Sequence, residues 1–463
     1  MAQDLEAYDS IVIGSGQGGN PLSGALAGNG EHVALVELEH IGGCCINEGC
    51  TPTKTMVASA RVAYLAGRAR EYGLSGGVIE KGITGVIDRK RKMVTDFRLG
   101  GTKRLESAGV EIIMGEGSFL GPKKLRISLT GGGERIITGK KIFIDTGARP
   151  RIPDIPGLEV IPYLTSTTIM ELDTLPSHLL ILGGGYVGLE FGQMFRRFGS
   201  NVTIIERGNQ LMAREDTDIS DEMIKIFKED GVQVLLRTSP VRVVKDSDGT
   251  IKCTVENPEG EEVISCSHIM VAAGRIPNTD RLNLGAAGVS SDARGYIKVN
   301  DKLETGVPGI YALGDVKGGP AFTHISYDDY RVLRTNLIEG GSSTTAGRLV
   351  PYTVFTDPEL GRIGMTEKEA RSKERRILVA KIPMSYSSRA WEAGETRGVM
   401  KAVVDQDTKQ ILGCSILGTQ GGELMSMLEI AMIGKVPYTV VKEAVFAHPT
   451  LGESLNTLFM SLD

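Results

Sequence analysis

Ile11-Val12-Ile13-Gly14-Ser15-Gly16-Gln17-Gly18-Gly19 is an apolar run that ends in a glycine loop. An Ala- and Leu-rich stretch follows, and then His32-Val33-Ala34-Leu35-Val36-Glu37. The order is strand, glycine loop, helix, strand, acid. In that order Gly14 permits a tight turn, Gly16 lets the backbone approach a pyrophosphate, and Gly19 lets the helix pack close to its strand. The helix N-terminus then faces the phosphates, and Glu37 accepts hydrogen bonds from ribose hydroxyls.

The plan recurs. Leu179-Leu180-Ile181-Leu182 leads into Gly183-Gly184-Gly185-Tyr186-Val187-Gly188, then a helical stretch through Phe198, then Asn201-Val202-Thr203-Ile204-Ile205-Glu206. Gly183, Gly185 and Gly188 take the places of the first three glycines, and Gly183 stands as far from Glu206 as Gly14 from Glu37. One glycine turn would suit any α/β protein. Two, each behind an apolar strand and each with its acid, point to two dinucleotide sites, for FAD and a nicotinamide. The expected fold is α/β, with two Rossmann-like dinucleotide-binding domains and a C-terminal α+β domain.

Ile142-Phe143-Ile144-Asp145-Thr146-Gly147-Ala148-Arg149-Pro150 closes a turn-rich stretch, and Ile269-Met270-Val271-Ala272-Ala273-Gly274-Arg275-Ile276-Pro277-Asn278 ends in a similar way. The second domain is placed between these turns, with Gly274 counted among its nucleotide-binding residues. Gly309 to Val316 is a further strand ending at glycine and acid. After the polar Ser342-Ser343-Thr344-Thr345 the pattern changes to strands over Gly398–Val404 and Ile411–Leu417 and a Met-rich helix near Glu423–Ile433. The expected limits are 1–150 and 279–348 for the two parts of the first nucleotide domain, 151–278 for the second, and 349–463 for the last.

Composition agrees. A chain of 463 residues exceeds one ordinary core. Glycine takes 60 positions, nearly double the usual share of about 7%, and clusters at the ends of apolar runs. A net charge of −5 is unsuited to holding a nucleic-acid backbone. The opening from Met1 to Ser10 carries Asp4, Glu6 and Asp9, unlike a signal peptide, and no run reaches the roughly 18 apolar residues of a membrane span. The expectation is a cytoplasmic protein with neither nucleic acid nor membrane as partner.

Six cysteines in so long a chain do not make a disulfide framework. Three of them crowd into Gly42-Gly43-Cys44-Cys45-Ile46-Asn47-Glu48-Gly49-Cys50-Thr51-Pro52-Thr53-Lys54, ahead of a helical pattern from Thr55 to about Tyr72. Cys45 and Cys50 at a helix start can close a small loop, and the helix N-terminus favours thiolate, the species that attacks sulfur in exchange. A zinc site would need two more ligands, and no nearby His or Cys pair supplies them, so no metal site is expected.

The Cys-x-Asn-x-Gly-Cys stretch, both glycine loops and Ala312-Leu313-Gly314-Asp315 together resemble the class I pyridine nucleotide–disulfide oxidoreductases, which include dihydrolipoamide dehydrogenase, glutathione reductase and mercuric reductase. The resemblance covers essentially the whole chain. It implies an FAD domain, an NAD(P) domain, a C-terminal interface domain and a homodimer. It makes Cys45 the interchange thiol and Cys50 the charge-transfer thiol. It sets Lys54 by the flavin, paired with Glu190, where a cation stabilises anionic reduced flavin. Asp315 would bind the ribityl chain, Thr146 and Gly147 would line the FAD site, and Tyr186 would cover the nicotinamide pocket.

Near the end stands Ala447-His448-Pro449-Thr450-Leu451-Gly452-Glu453. Exchange moves a proton to and from the interchange thiol. Histidine suits that work near neutral pH, and a carboxylate can hold its ring. His448 and Glu453 are the expected acid–base pair, and the resemblance implies that they serve the dithiol of the other subunit. His178 and His324 are read as structural or are left without a role.

Glu206 favours a free 2′-hydroxyl, hence NADH, while Arg207 beside it leaves NADPH open. The acceptor is expected to be a small disulfide or a metal ion. The His–Glu pair fits a dihydrolipoamide dehydrogenase, but Phe446 and the stretch Phe322 to Tyr330 depart from that pattern. The stretch Phe322 to Tyr330, with His448-Pro449-Thr450 and Glu453 to Phe459, is more similar to the reactive-chlorine-resistance flavoprotein and its mercuric-reductase-like relatives. The chain ends Phe459-Met460-Ser461-Leu462-Asp463, without the C-terminal cysteine pair of mercuric reductases. Cys44 replaces a usual threonine and is read as a small buried residue, or else as a third thiol for exchange or soft metal. Glu48 replaces an apolar residue, and its charge would disfavour thiolate nearby. A flavin-bound thiol sensor is the competing reading from another class.

Overall fold

In a computed structural model of the chain, which describes residues 6–75 and 82–462, the fold is the expected mixed α/β one. The opening stretch read through Asp4 lies partly outside the described residues. The residues group into two compact units, and each builds its own sheets.

The first unit comprises the chain to Thr55, Asp88–Arg151 and Gly274–Arg348. Its six-stranded sheet runs parallel through Val33–Glu37, Glu6–Ile13, Glu134–Ile144 and Ile310–Ala312. Glu111–Gly121 pairs parallel with Val33–Glu37, and Lys124–Leu129 connects it antiparallel to Glu134–Ile144. The parallel strands are apolar where they end, at Ile11–Ile13, Val33–Val36 and Ile142–Ile144, because both faces are covered there. Ile11, Ile13, Ala34, Val36, Ile142 and Ile144 fill one side, while Val12, Val33, Leu35 and Phe143 pack with Leu22 and Leu26 of the helix Gly19–Gly28 on the other. Register brings the strand ends level, since Ile13 pairs with Val36 and Ile144, and Ile144 pairs with Ala312. Gly14, Glu37, Asp145 and Asp315 therefore all leave the same carboxyl edge of the sheet, the usual binding edge of such folds.

The second unit comprises Met56–Ile87, Ile152–Ala273 and Leu349–Asp463. Its four-stranded parallel sheet has the order His268–Val271, His178–Leu182, Asn201–Glu206, Gln233–Leu236. The helix Tyr186–Phe198 packs Leu189, Phe191 and Phe195 into its core. A three-stranded antiparallel sheet follows over Ser239–Lys245, Ile251–Asn257 and Gly260–Cys266. The C-terminal part is a five-stranded antiparallel sheet that includes Val399–Asp405 and Ile411–Gly418, backed by the helix Gly421–Ile433 as expected. Changes of unit fall at Met56, Asp88, Ile152, Gly274 and Leu349; Met56–Ile87, expected within the first domain, groups with the second unit, which also takes in both Ile152–Ala273 and Leu349–Asp463.

One boundary differs. The helix expected from Thr55 begins at Cys50 and runs to Gly67, and a 3-10 turn over Ala69–Tyr72 completes the pattern. Pro52 looks like a break in sequence. In the first turn, however, its missing N–H costs no helical hydrogen bond.

Candidate active site

The first glycine loop is locked from below. Asp145 is buried, and the Gly19 N–H donates to its Oδ2 at 2.6 Å. Burial pushes the Asp145 carboxyl well above the usual carboxylate range, which favours the neutral acid and keeps negative charge away from a phosphate loop. A methyl added at Gly19 would lie 2.4 Å from the Gly14 carbonyl oxygen. The helix Gly19–Gly28 has no side-chain cap, so its first turn faces the loop.

The acids behave alike in both motifs. Glu37 Oε2 accepts from the Ser15 N–H at 2.9 Å and its hydroxyl at 2.6 Å, and Oε1 accepts from Glu39 N–H at 2.9 Å. Glu206 Oε2 accepts from Gly184 N–H at 2.8 Å, and Oε1 accepts from Gly208 N–H at 2.7 Å. Each carboxylate is thus oriented by the second residue of its loop and by the residue two places on. In the second motif a Cβ at Gly188 would strike the Gly183 carbonyl, while Gly185 opens to free space and leaves Tyr186–Phe198 without a side-chain cap. Tyr186, the first helical residue, is exposed. Both loops leave the close backbone approach that the pyrophosphate of a dinucleotide needs.

Cysteine placement follows from the first loop. Gly42 N–H donates to Ser15 Oγ at 2.9 Å, and Gly43 comes so close to Gly16 that a Cβ would lie 2.7 Å from the Gly16 Cα. Only glycine allows that approach with φ +60°. From there the short helix Gly43–Asn47 carries Cys44 and Cys45, and Cys50 opens the next helix. Cys45 is hydrogen-bonded to Cys50, and that bond, with burial, pushes its thiol far up. Cys50 Sγ meets Thr323 Oγ1 at 3.1 Å.

Cys44 is not the buried residue expected. It is exposed, and Arg275 Nη2 donates to its Sγ at 3.6 Å. Desolvation raises its thiol, the guanidinium opposes the rise, and Glu48 adds to it. No group of three or more His, Cys, Asp or Glu side chains is placed to hold a metal among the described residues.

Thr146 Oγ1 donates to the Asn278 carbonyl at 2.8 Å, and Gly147 turns beside it at φ +69°. Gly274 also has positive φ, +99°, and follows the strand His268–Val271 of the nucleotide sheet by three residues. Asp315 sits in the turn Gly314–Lys317, its carboxyl raised by burial and lowered by Arg275 and Lys317. That turn is pinned by the fully buried Asp329, which accepts from Gly314 N–H at 2.9 Å and pairs with Lys317 at 3.1 Å. Lys54 lies in the first unit, one turn after Cys50. Glu190 lies in the second unit, buried, and accepts from Phe355 N–H at 2.9 Å.

His448 Nδ1 lies 2.9 Å from Glu453 Oε2, as the acid–base reading requires, and the histidine is exposed. With Nδ1–H given to the carboxylate, Nε2 is left to exchange a proton. His178 bonds Thr203 at 2.9 Å and His324 stacks on Phe322 at 5.3 Å, in keeping with structural roles.

Sequence reasoning missed Asp145, Arg275, Thr323 and Asp329. Only Asp145 carried a local signal, as an acid ending a third apolar strand. A cavity of about 620 Å³ in the second unit, lined by Tyr64, Arg68, Arg197 and Arg397, contains none of the predicted site residues. Its guanidiniums are already paired with Glu71, Asp357 and Glu395.

A family described as pyridine nucleotide-disulphide oxidoreductase matches residues 8–329, and the family's dimerisation domain matches residues 350–459. The chain is 37% identical over 460 residues to the probable pyridine nucleotide-disulfide oxidoreductase RclA of Escherichia coli (strain K12), covering 98% of this chain and 99% of that one. It is 32% identical over 459 residues to a mercuric reductase of Bacillus cereus, covering 98% of this chain and 72% of the relative. The solved Cu(II) complex of HOCl-induced flavoprotein disulfide reductase RclA from Escherichia coli matches with a TM-score of 0.91 at 36% identity, over 99% of this chain and 100% of that one. The glycine loops, the paired thiols and these matches agree: the chain belongs to the pyridine nucleotide-disulphide oxidoreductases, flavin-dependent enzymes with FAD and a pyridine nucleotide as cofactors.

Proposed function

We propose that this oxidoreductase takes electrons from NADH and delivers them through Cys45 and Cys50 to a small disulfide or a soft metal ion. The observation that carries the reading is the thiol pair itself: Cys45 hydrogen-bonded to Cys50, with Cys50 opening a helix and Gly43 packed against Gly16 of the first glycine loop. FAD, when bound, supplies the two-electron link between nicotinamide and dithiol.

The chain's own residues do the rest. Reduction of the Cys45–Cys50 disulfide takes up an electron pair and one proton, leaving Cys45 as the thiol and Cys50 as the thiolate; His448 takes the Cys45 proton as exchange begins, and the second product thiolate is protonated from solvent. Cys45 thiolate then attacks an acceptor disulfide, forming a mixed disulfide and releasing the first product thiol. Cys50 attacks the Cys45 sulfur, re-forms the pair and releases the second. His448, its ring held by Glu453, carries the proton at the dithiol of the second copy in a homodimer, which the dimerisation domain supports. Lys54 serves the flavin, with Glu190 as the partner that the family resemblance gives it. Asp315, Thr146 and Gly147 hold FAD, and Tyr186, Gly274 and Glu206 serve the nicotinamide coenzyme. The four expected domain ranges are retained, supported by the separate sheets.

RclA's Cu(II) complex and the mercuric reductases favour including metal ions among the acceptors. His448→Gln discriminates between the acceptor classes. Disulfide turnover needs the proton and is expected to fall about 10²–10⁴-fold. Reduction of a metal ion held by two thiolates needs no proton and is expected to change little. Steady-state rates with lipoamide, glutathione disulfide, Hg(II), Cu(II) and quinones, each in wild type and variant, check both points. A single rapid reduction by NADH without turnover on any acceptor would favour the sensor reading instead.

Coenzyme choice rests on Glu206, whose carboxylate repels a 2′-phosphate. Glu206→Gln removes that charge. The ratio of kcat/KM for NADPH to that for NADH is expected to rise at least about tenfold. An unchanged ratio would place coenzyme selection elsewhere.

A further inference from the structure

We propose that Thr323 is the hydroxyl that donates a hydrogen bond to Cys50 in the reduced pair and so holds it as the thiolate. The inference rests on reading Cys45 and Cys50 as the redox pair. Thr323 Oγ1 lies 3.1 Å from Cys50 Sγ and also bonds Cys45, so one hydroxyl bridges both sulfurs.

The backbone explains why negative charge collects at Cys50. Cys50 is the first residue of the helix Cys50–Gly67. Thr323 is the first residue of the helix Thr323–Leu337, which has no side-chain cap. The Cys50 sulfur thus meets the first turns of two helices, whose dipoles both favour an anion there.

Proton counting assigns the donor. A hydroxyl has one proton to give and two lone pairs to accept with. With Cys45 protonated and Cys50 ionised, every atom is satisfied. Thr323 O–H donates to the Cys50 sulfur, and the Cys45 S–H donates to Cys50 or to Thr323 Oγ1. The other charged and titratable groups here are Cys44 on the Cys45 helix, Arg275, Glu48 and Asp315 acting on Cys44, Lys54 one turn after Cys50, and, in the proposed homodimer, the histidine at position 448 of the second copy. A change at Thr323 leaves all of them in place, so it isolates the hydroxyl.

The test uses reduced holoenzyme. Alkylation of each cysteine by iodoacetamide is followed against pH and resolved by peptide mapping. Thr323→Val keeps the shape and lacks the proton, and it is expected to raise the Cys50 midpoint by about one to two pH units. In a thiol–disulfide buffer, its ratio of reduced to oxidised pair is expected to fall about tenfold or more. Thr323→Ser restores the hydroxyl and is expected to titrate like wild type. Thr323→Ala replaces valine should that variant fail to load FAD. A wild-type midpoint in the hydroxyl-free variant overturns the proposal, as do equal shifts in valine and serine, which would mark a packing role. The redox-pair reading is judged first and separately: if NADH exposes no new thiols at Cys45 and Cys50 in wild type, that reading fails and takes this proposal with it.

Discussion

Cys45→Ser is expected to abolish acceptor turnover, lowering it on the order of a thousandfold or more, while the first equivalent of NADH is still oxidised. Serine keeps the size of the side chain but can neither form the disulfide nor attack one at neutral pH. Cys50 remains at its helix start beside Thr323, so loading of FAD should be unaffected. The contrast between an intact first turnover and a lost steady state places the defect after nicotinamide oxidation. Stopped-flow and steady-state assays on one preparation measure both. Acceptor turnover near the wild-type rate would mean that electrons leave by a route without the dithiol.

Gly19→Ala is expected to be as severe for a different reason. The added methyl would fall 2.4 Å from the Gly14 carbonyl oxygen and 2.9 Å from Asp145 Oδ2. Neither can retreat: Gly14 turns at φ +99° against the Asp145 backbone, and Asp145 is buried. Overpacking of this kind costs about 1–3 kcal/mol in stability. It also breaks the Gly19–Asp145 hydrogen bond that holds the loop in shape for a pyrophosphate. The variant should purify with little FAD and a lowered Tm. Gly24→Ala, five residues on in the same helix, meets nothing within 4 Å. It should keep full FAD and gain up to about 1 kcal/mol from helix propensity. FAD content by absorbance and Tm by calorimetry separate the two. Full FAD in Gly19→Ala would show that this glycine is not needed for close packing.

The parts legible in sequence were those set by local periodicity. Glycine spacing and terminal acids located both nucleotide loops, and Glu37 and Glu206 are held by matching pairs of backbone amides. The His448–Glu453 contact spans only five residues and was also legible. What spacing could not reach is the set of partners that the sheet brings in from afar. Asp145 is 126 residues from Gly19, Arg275 is 231 from Cys44, and Thr323 is 273 from Cys50. Each arrives on a different strand end or helix start, and only strand register brings it in. Of the two readings of Cys44, the buried one is not met at its surface, yet its sulfur is desolvated and lies against Arg275, a contact that local spacing could not show.

The most direct test is a thiol count by position. Wild-type holoenzyme is treated anaerobically with NADH, quenched with an alkylating label and mapped by mass spectrometry against an untreated control. Label should appear at both Cys45 and Cys50 only after NADH, with the buried Cys253, Cys266 and Cys414 unlabelled in either sample. No gain of label at those two positions would contradict the account.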